Sequence, residues 1–249
     1  MIEASNIKKS FKSSTGARKV LEDISFTIPD SSFTTIFGPN GCGKSTLVNI
    51  LAGLEKADSG TISGTSKLNK NIGYVFQDYR RSLLPWQSVK ENILFPLKIR
   101  GMSSADQEKS LSEILELTGI KLDLKQKVYS LSGGQAQATC ILRALIIKPT
   151  LLILDEPFAA LDYERTISLR EVISKVSKHL NLTVLLISHD LDEAIALGDQ
   201  VLFLTRTPTK VEEILKVNLP YPRNLETTAS KEFIEIKKEA INIFNRCIL

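Results

Sequence analysis

Several things are scarce in this 249-residue chain, and each scarcity excludes something. No apolar run approaches the roughly eighteen residues a membrane span needs, so any work at a membrane is expected to be that of a peripheral guest. The stretch Met1 to Ser10 lacks the apolar core of a secretory signal, and export is not expected. Only three cysteines occur, Cys42, Cys140 and Cys247, with no metal-binding spacing. Cys42 lies inside a glycine-rich turn that a disulfide would obstruct, so a reducing cytosol is the expected setting. Internal repeats, low-complexity tracts and coiled-coil heptads are missing. Charge of one sign is not in great excess either. A net charge of +4 and a pI near 8.8 suit a surface that meets phosphates or a membrane-bound partner, but are too mild to indicate nucleic acid.

What is present is an ordinary globular composition, 43% hydrophobic and 24% charged, enough for one large domain or a domain with an inserted lobe. Its organising stretch is Gly38-Pro39-Asn40-Gly41-Cys42-Gly43-Lys44-Ser45-Thr46, between an apolar run (Phe33 to Phe37) and a helix-patterned run (Ser45 to Ala52). This fits G-x-x-x-x-G-K-[ST], a loop whose backbone N–H groups surround a phosphate chain while the lysine reaches the terminal phosphates and the serine hydroxyl takes Mg²⁺. Glycines let the backbone approach the phosphates and adopt positive φ. The helix that follows points its N-terminus at the same anion.

Ahead of the loop, Ile2 to Ile7 and Val20 to Ile28 read as strands of an antiparallel flap, joined by a turn-prone segment from Lys12 to Arg18. After it come a stop at Gly53, a turn at Asp58-Ser59-Gly60, a short strand at Thr61-Ile62, and an apolar strand from Ile72 to Phe76 that ends at Gln77. Between Asp78 and Lys148 strand signals give way to helical ones. A capping-box pattern at Ser104-Ala105-Asp106-Gln107 opens one helix that stops at Gly119, and another runs from about Gly133 to Ile147. Strands return as unbroken apolar runs, Leu151 to Leu154 and Thr183 to Ile187, as expected of parallel strands covered on both faces. A helix from about Tyr163 to Leu180 lies between them. A last strand (Val201 to Leu204), a proline-rich stretch (Pro208, Pro220, Pro222) and a helix from Lys231 to Asn245 finish the chain.

Two further constellations carry chemistry. Asp155 ends an apolar strand, where the ligands of parallel sheets bind, and is placed to hold Mg²⁺ through its water shell. Glu156, one residue on, can orient or deprotonate an attacking water. Leu131-Ser132-Gly133-Gly134-Gln135 opens a helix, and its backbone N–H groups and serine hydroxyl form a second anion-binding corner.

In this order and combination the motifs resemble the ATP-binding subunit of an ABC transporter, over nearly the whole chain. Walker A is Gly38 to Thr46, the Q-loop glutamine is Gln77, the signature is Leu131 to Gln135, and Walker B is Leu151 to Asp155 with Glu156 following. The D-loop is Ala160-Leu161-Asp162 and the switch histidine is His189. The resemblance implies an α/β fold: a P-loop NTPase (RecA-like) core at 1–77 and 149–220, an antiparallel β flap, a helical lobe at 78–148 and a C-terminal tail at 221–249. It also implies two such subunits clamping two ATP molecules head to tail. Lys44 and Ser45 are then assigned to phosphates and Mg²⁺, Gln77 to Mg²⁺ and water, Glu156 to the general base and His189 to the γ-phosphate. Ser132 and Gly134, with Gly133 and Gln135 in the same corner, would act in trans, and Asp162 would contact across the dimer. Phe11 has two readings, a core aromatic or a ring stacking on adenine.

Relatives usually continue the signature with Arg-Gln-Arg; here it is Ala136-Gln137-Ala138, with Arg143 remaining, which implies slow hydrolysis rather than none. Arg80 to Trp86 and Val89 to Ile93 fall where the family receives its membrane partner's coupling helix, although Trp86 could instead anchor the helical lobe. Leu83-Leu84-Pro85-Trp86, Pro157 to Asp162 and Leu219 to Arg223 are similar to importers of nitrate, sulfonate, taurine and bicarbonate. An importer ATPase of this kind would work as a homodimer or paired with a paralogue, on an integral membrane permease served by an extracytoplasmic substrate-binding protein, at the cytoplasmic face of the inner membrane. Beyond the core about thirty residues remain, fewer than an added regulatory domain needs. A soluble ABC ATPase acting as a mechanical switch without a permease is the alternative, and a nucleotide binder without turnover a third.

Overall fold

The computed structural model describes residues 1–13, 16–64, 71–159 and 161–248. In chain order its elements are β1 (Ile2–Ser13), β2 (Gly16–Ile28), β3 (Phe33–Phe37), α1 (Lys44–Leu51), β4 (Ser59–Ser63) and β5 (Ile72–Val75). Then come α2 (Tyr79–Ser82), α3 (Val89–Ile99), α4 (Ser104–Thr118), α5 (Gly133–Leu145), β6 (Leu151–Asp155) and α6 (Tyr163–His179). The remainder is β7 (Thr183–Ile187), α7 (Leu191–Leu197), β8 (Gln200–Leu204), β9 (Val211–Lys216), α8 (Leu225–Thr228) and α9 (Lys231–Ile248). No helix among the described residues is long and apolar enough to cross a membrane.

These elements divide into two compact units, Met1–Asn69 with Thr183–Leu249, and Lys70–Leu182. In the first unit β1 lies between β2 and β4, all antiparallel. Side chains alternate in and out along β1 until Asn6, whose φ of 52° and partner Asp23 (φ 60°) mark a bulge where the alternation changes phase. The turn expected from Lys12 to Arg18 is mostly strand, since Phe11 pairs with Arg18 and Lys12 with Ala17. Ser14 and Thr15 lie outside the described residues. Both faces of this hairpin end are solvated, so its strands carry no apolar alternation to read.

The other sheet of this unit has β3 between the parallel neighbours β7 and β8, with Ile36 opposite both Ile187 and Leu202. Every residue of β3 and β7 is buried, Thr34 and Thr35 of β3 included, and burial on both faces accounts for the apolar run from Val184 to Ile187. Antiparallel β9 pairs with β8, Leu202 opposite Ile214. This strand was not expected: Glu212 and Lys216 are exposed, Glu213 is half-buried, and of its residues only Leu215 is buried. Along α9, Phe233, Ala240, Ile243 and Cys247 recur at helical spacing and pack with Phe37, Phe203 and Leu215.

In the second unit β5 and β6 run parallel, Val75 opposite Leu154. Gly73 is dictated by close approach, because a Cβ there would stand 2.5 Å from the Ala144 carbonyl of α5. Between β5 and β6 lie α2 to α5. The cap of α4 is Ser103, one residue earlier than expected, its hydroxyl accepting from the Asp106 N–H at 3.2 Å. Gly119 ends that helix in the left-handed conformation, as expected. Trp86 does not anchor the lobe, being 70% exposed. That work falls to Leu83 and to Asn92, whose buried amide bonds both the N–H and the carbonyl of Leu84.

Candidate functional site

Strand β3 delivers the chain into the phosphate loop. Gly38 must be glycine because a Cβ would stand 2.8 Å from the Leu204 carbonyl. Gly43 caps α1 at φ 108°, where a Cβ would also meet Val20 at 2.8 Å. The loop is braced from outside: the Thr207 hydroxyl donates to the Gly41 carbonyl at 3.3 Å, and that of Thr209 to the Cys42 carbonyl. Thr209 is itself bonded to Val20 and Glu22 of β2 through its backbone. Sequence reasoning passed over both threonines, which lie in the stretch read only for its prolines. Burial pushes the Cys42 thiol pKa up, so this cysteine is a packed apolar group within the loop.

Lys44 is 6% exposed, its ammonium donating to the carbonyls of Gly38 (2.9 Å) and Pro39 (3.1 Å). A lysine curled back over its own loop holds a point charge at the concave side of the turn. Ser45 is exposed, Thr46 half-buried, and Asn40 and Gly41 exposed. The first turn of α1 carries no acidic residue, so its positive dipole end is uncompensated from within the helix. Phe11 is no core residue: it is 41% exposed on β1, with the Lys9 ammonium 5.1 Å from its ring centroid.

His189 follows β7. Because β7 runs parallel to β3, with Ile187 beside Ile36, His189 emerges at the same strand ends as the phosphate loop. The turn is fixed by Ser188, which is 1% exposed, accepts from the Asp190 N–H at 3.0 Å and donates to Glu193 at 2.6 Å. Asp190 caps α7, and His189 is held outward on this bracket, exposed to solvent.

The second unit repeats the arrangement with acids. Asp155 ends β6 at 5% exposure, and burial together with the Asp155 charge holds the neighbouring Tyr74 phenol well above its usual range. Glu156 takes the left-handed conformation at φ 49°, uncommon for a residue with a side chain. The parallel pairing of β5 and β6 brings Gln77 alongside, and its amide nitrogen donates to the Glu156 carboxylate at 3.1 Å. Sequence reasoning named both residues and the structure joins them directly.

Ser132 and Gln135 close a reciprocal capping box on α5: the Ser132 hydroxyl accepts from the Gln135 N–H, and the Gln135 amide oxygen accepts from the Ser132 N–H at 2.9 Å. Gly133 and Gly134 form the first turn. Asp162 caps α6, accepting from the Arg165 N–H at 2.9 Å; Ala160 of the expected D-loop lies outside the described residues. Arg143 does not point back to the signature. Its guanidinium bonds the carbonyl and hydroxyl of Ser82 in α2, each at 2.7 Å.

Residues 21–159 match the family described as ABC transporter. This chain belongs to that family. This ABC ATPase is 36% identical over 249 residues to the aliphatic sulfonates import ATP-binding protein of Bacillus cereus, covering 98% of this chain and 96% of the relative. It is 34% identical to the bicarbonate transport ATP-binding protein of Synechocystis, covering 98% of this chain and 38% of that one. Among solved structures it superposes on the dimeric structure of MJ0796, a bacterial ABC transporter cassette, with a TM-score of 0.78 and 28% identity, covering 88% of this chain and 100% of the other. The post-hydrolysis state of that cassette, bound to ADP and Pi, matches equally well, with a TM-score of 0.78. The mixed α/β fold with its parallel sheet is that of a P-loop NTPase, and the chain is an ATPase of this family.

Proposed function

We propose that this ABC ATPase drives an importer of a small anion, such as a sulfonate or taurine, nitrate or bicarbonate, as one of two cassettes docked on an integral membrane permease. The observation that carries the reading is the Gln77–Glu156 hydrogen bond, which ties the hydrolytic carboxylate to the chain that leads directly into Arg80 to Ile93. That stretch is where a permease's coupling helix is received in our reading. Full-length identity to a sulfonate importer subunit supports the cargo class.

In this reading the loop Gly38 to Thr46 holds the phosphates of ATP, with Lys44 as the point charge on the terminal phosphates. Phe11 offers its exposed ring to adenine. Glu156 takes a proton from the attacking water, and His189 bonds the γ-phosphate. Ser132, Gly133, Gly134 and Gln135 act on the ATP of the partner cassette in a head-to-tail dimer, and Asp162 contacts that partner. The donors present suit Mg²⁺, a hard cation that takes oxygen ligands: the Ser45 hydroxyl, the Asp155 carboxylate and the Gln77 amide oxygen, left available because the amide nitrogen serves Glu156. Bound there, Mg²⁺ would neutralise charge on the phosphates. Residues 78–148 act as the lobe that passes motion to the permease. The assembly would sit at the cytoplasmic face of the inner membrane, with an extracytoplasmic binding protein delivering cargo.

Two measurements test this. Glu156→Gln is expected to lower turnover about 10²- to 10⁴-fold while ATP still binds. Hydrolysis near the wild-type rate would remove Glu156 from the role. Tagged Glu156→Gln protein, captured with ATP from solubilised native membranes, is expected to bring down a protein with several membrane spans. Recovery of ribosomes or a soluble assembly factor in its place would sink the importer reading in favour of a permease-free switch.

A further inference from the structure

A cavity of about 490 Å³ opens beside the signature, lined by Ser132, Gly134 and Ala138 of the α5 region, Leu161 and Arg165 from the start of α6, and Lys121. Within it Arg165 lies directly over the signature backbone: a methyl group added at Gly134 would stand 3.1 Å from a terminal guanidinium nitrogen and 3.4 Å from the Arg165 Cδ. This is an unusual place for a cation. The N-terminal turn of a helix already carries a partial positive charge, and a guanidinium set against it is repelled unless an anion joins them. The Asp162 carboxylate compensates only in part, standing 3.4 Å from the Arg165 Nε with both side chains 58% exposed. α5 supplies no cation of its own at this end, since Ala136 and Ala138 follow the signature and Arg143 is committed to Ser82.

We propose that Arg165 is a phosphate-binding cation of the signature corner, on the Gly134 side where the Arg80 guanidinium lies on the Gly133 side: together with the Ser132 hydroxyl and the N–H groups of α5, it binds the terminal phosphate of the ATP held by the partner cassette. The inference rests on the head-to-tail reading given above. Its chemistry requires no new step. As the β–γ bond breaks and the attacking water loses its proton to Glu156, negative charge on the transferred phosphoryl oxygens is met by a guanidinium reaching across from α6. The small Ala138 side chain leaves the room in which that guanidinium sits.

The test uses the full chain, with Arg165→Gln, Arg165→Lys, and Arg165→Gln combined with Ala138→Arg, which restores a guanidinium in the same cavity from α5. ATP hydrolysis is measured alongside ATP-driven dimerisation in the Glu156→Gln background, by light scattering, and melting temperature monitors folding. Arg165→Gln is expected to lower kcat about 10²- to 10³-fold, the range for loss of one charge-stabilising donor, and to raise the ATP concentration needed for dimerisation. Arg165→Lys is expected to retain an intermediate rate, and the double variant to recover most of the loss. Wild-type turnover and dimerisation in Arg165→Gln would overturn the proposal. So would a loss matched by a fall in melting temperature and recovered neither by the conservative Arg165→Lys change nor by the second-site arginine. Hydrolysis of ATP by the wild-type protein together with no ATP-driven dimerisation of the Glu156→Gln protein would instead remove the head-to-tail reading on which the inference stands.

Discussion

Gln137 sits on α5 with 1% of its surface exposed, and neither its amide oxygen nor its amide nitrogen finds a hydrogen-bond partner among the described residues. Leaving a polar group buried and unpaired costs about 1–3 kcal/mol per group, whereas an apolar side chain of the same shape incurs no such penalty. Gln137→Met, close in length and volume, is therefore expected to stabilise the protein by about 1 kcal/mol, read as a rise in melting temperature. A fall of similar size would mean that the amide is satisfied by ordered water and that the residue contributes to the structure through it. Other residues show how much of a candidate site can be read from the sequence. Lys44 and Glu156 were legible as candidates because the chemistry of phosphate and water calls for their functional groups beside a glycine-rich loop and at a strand end, and Gln77 only through its place in the family's order of motifs. Arg165 was not, because an arginine three residues after an aspartate looks like an ordinary surface pair until the fold lays it over Gly134.

At the scale of elements, the terminal helix bears on the phosphate loop although it holds no ligand residue. Phe244 of α9 meets Phe37 edge to face at 5.0 Å, and Phe37 meets Phe203 of β8 at 5.7 Å. Phe37 is the last residue before Gly38. One turn on, the Cys247 carbonyl accepts from the Arg206 N–H at 3.2 Å, next to the Thr207 that braces Gly41. Phe244→Ala is accordingly expected to cost about 2 kcal/mol, less than a fully buried phenylalanine, and to weaken nucleotide binding several-fold in a titration with a fluorescent ATP analogue. Lower stability with unchanged affinity would confine α9 to packing. The helix itself was expected from about Lys231 to Asn245, and β6 and β7 were evident from unbroken apolar runs, β3 from the apolar run ahead of the phosphate loop. Elements that depend on pairing were not. β9 is half polar and forms because β8 offers an edge, and β1 and β2 continue past their apolar stretches because each hydrogen-bonds the other. Trp86 reads as an anchor by size, yet Asn92 holds that segment through backbone bonds no hydrophobic pattern announces.

For the whole molecule, the scarcity of cysteine hides a dependence on pH. All three thiols are buried, and burial raises the pKa of each, with Cys247 pushed up to about 11 from an ordinary 9.0. The phenols of Tyr74 and Tyr221 are shifted in the same direction by the same cause. A group whose folded pKa exceeds its unfolded value binds its proton more tightly when folded. Its stabilising contribution is complete below the unfolded pKa and is lost as pH rises through the folded one. Melting temperature is therefore expected to hold level up to the ordinary thiol range and then to fall between pH 9 and about 11. Cys247→Ala leaves a small void under α9 and lowers the neutral-pH value, but it removes one of the titrating thiols, so its curve should decline less steeply over the same window. The slope and not the absolute temperature carries the test. Parallel wild-type and Cys247→Ala curves would mean that the thiol ionises as easily in the folded protein as in the unfolded chain, and that alkaline loss of stability arises elsewhere.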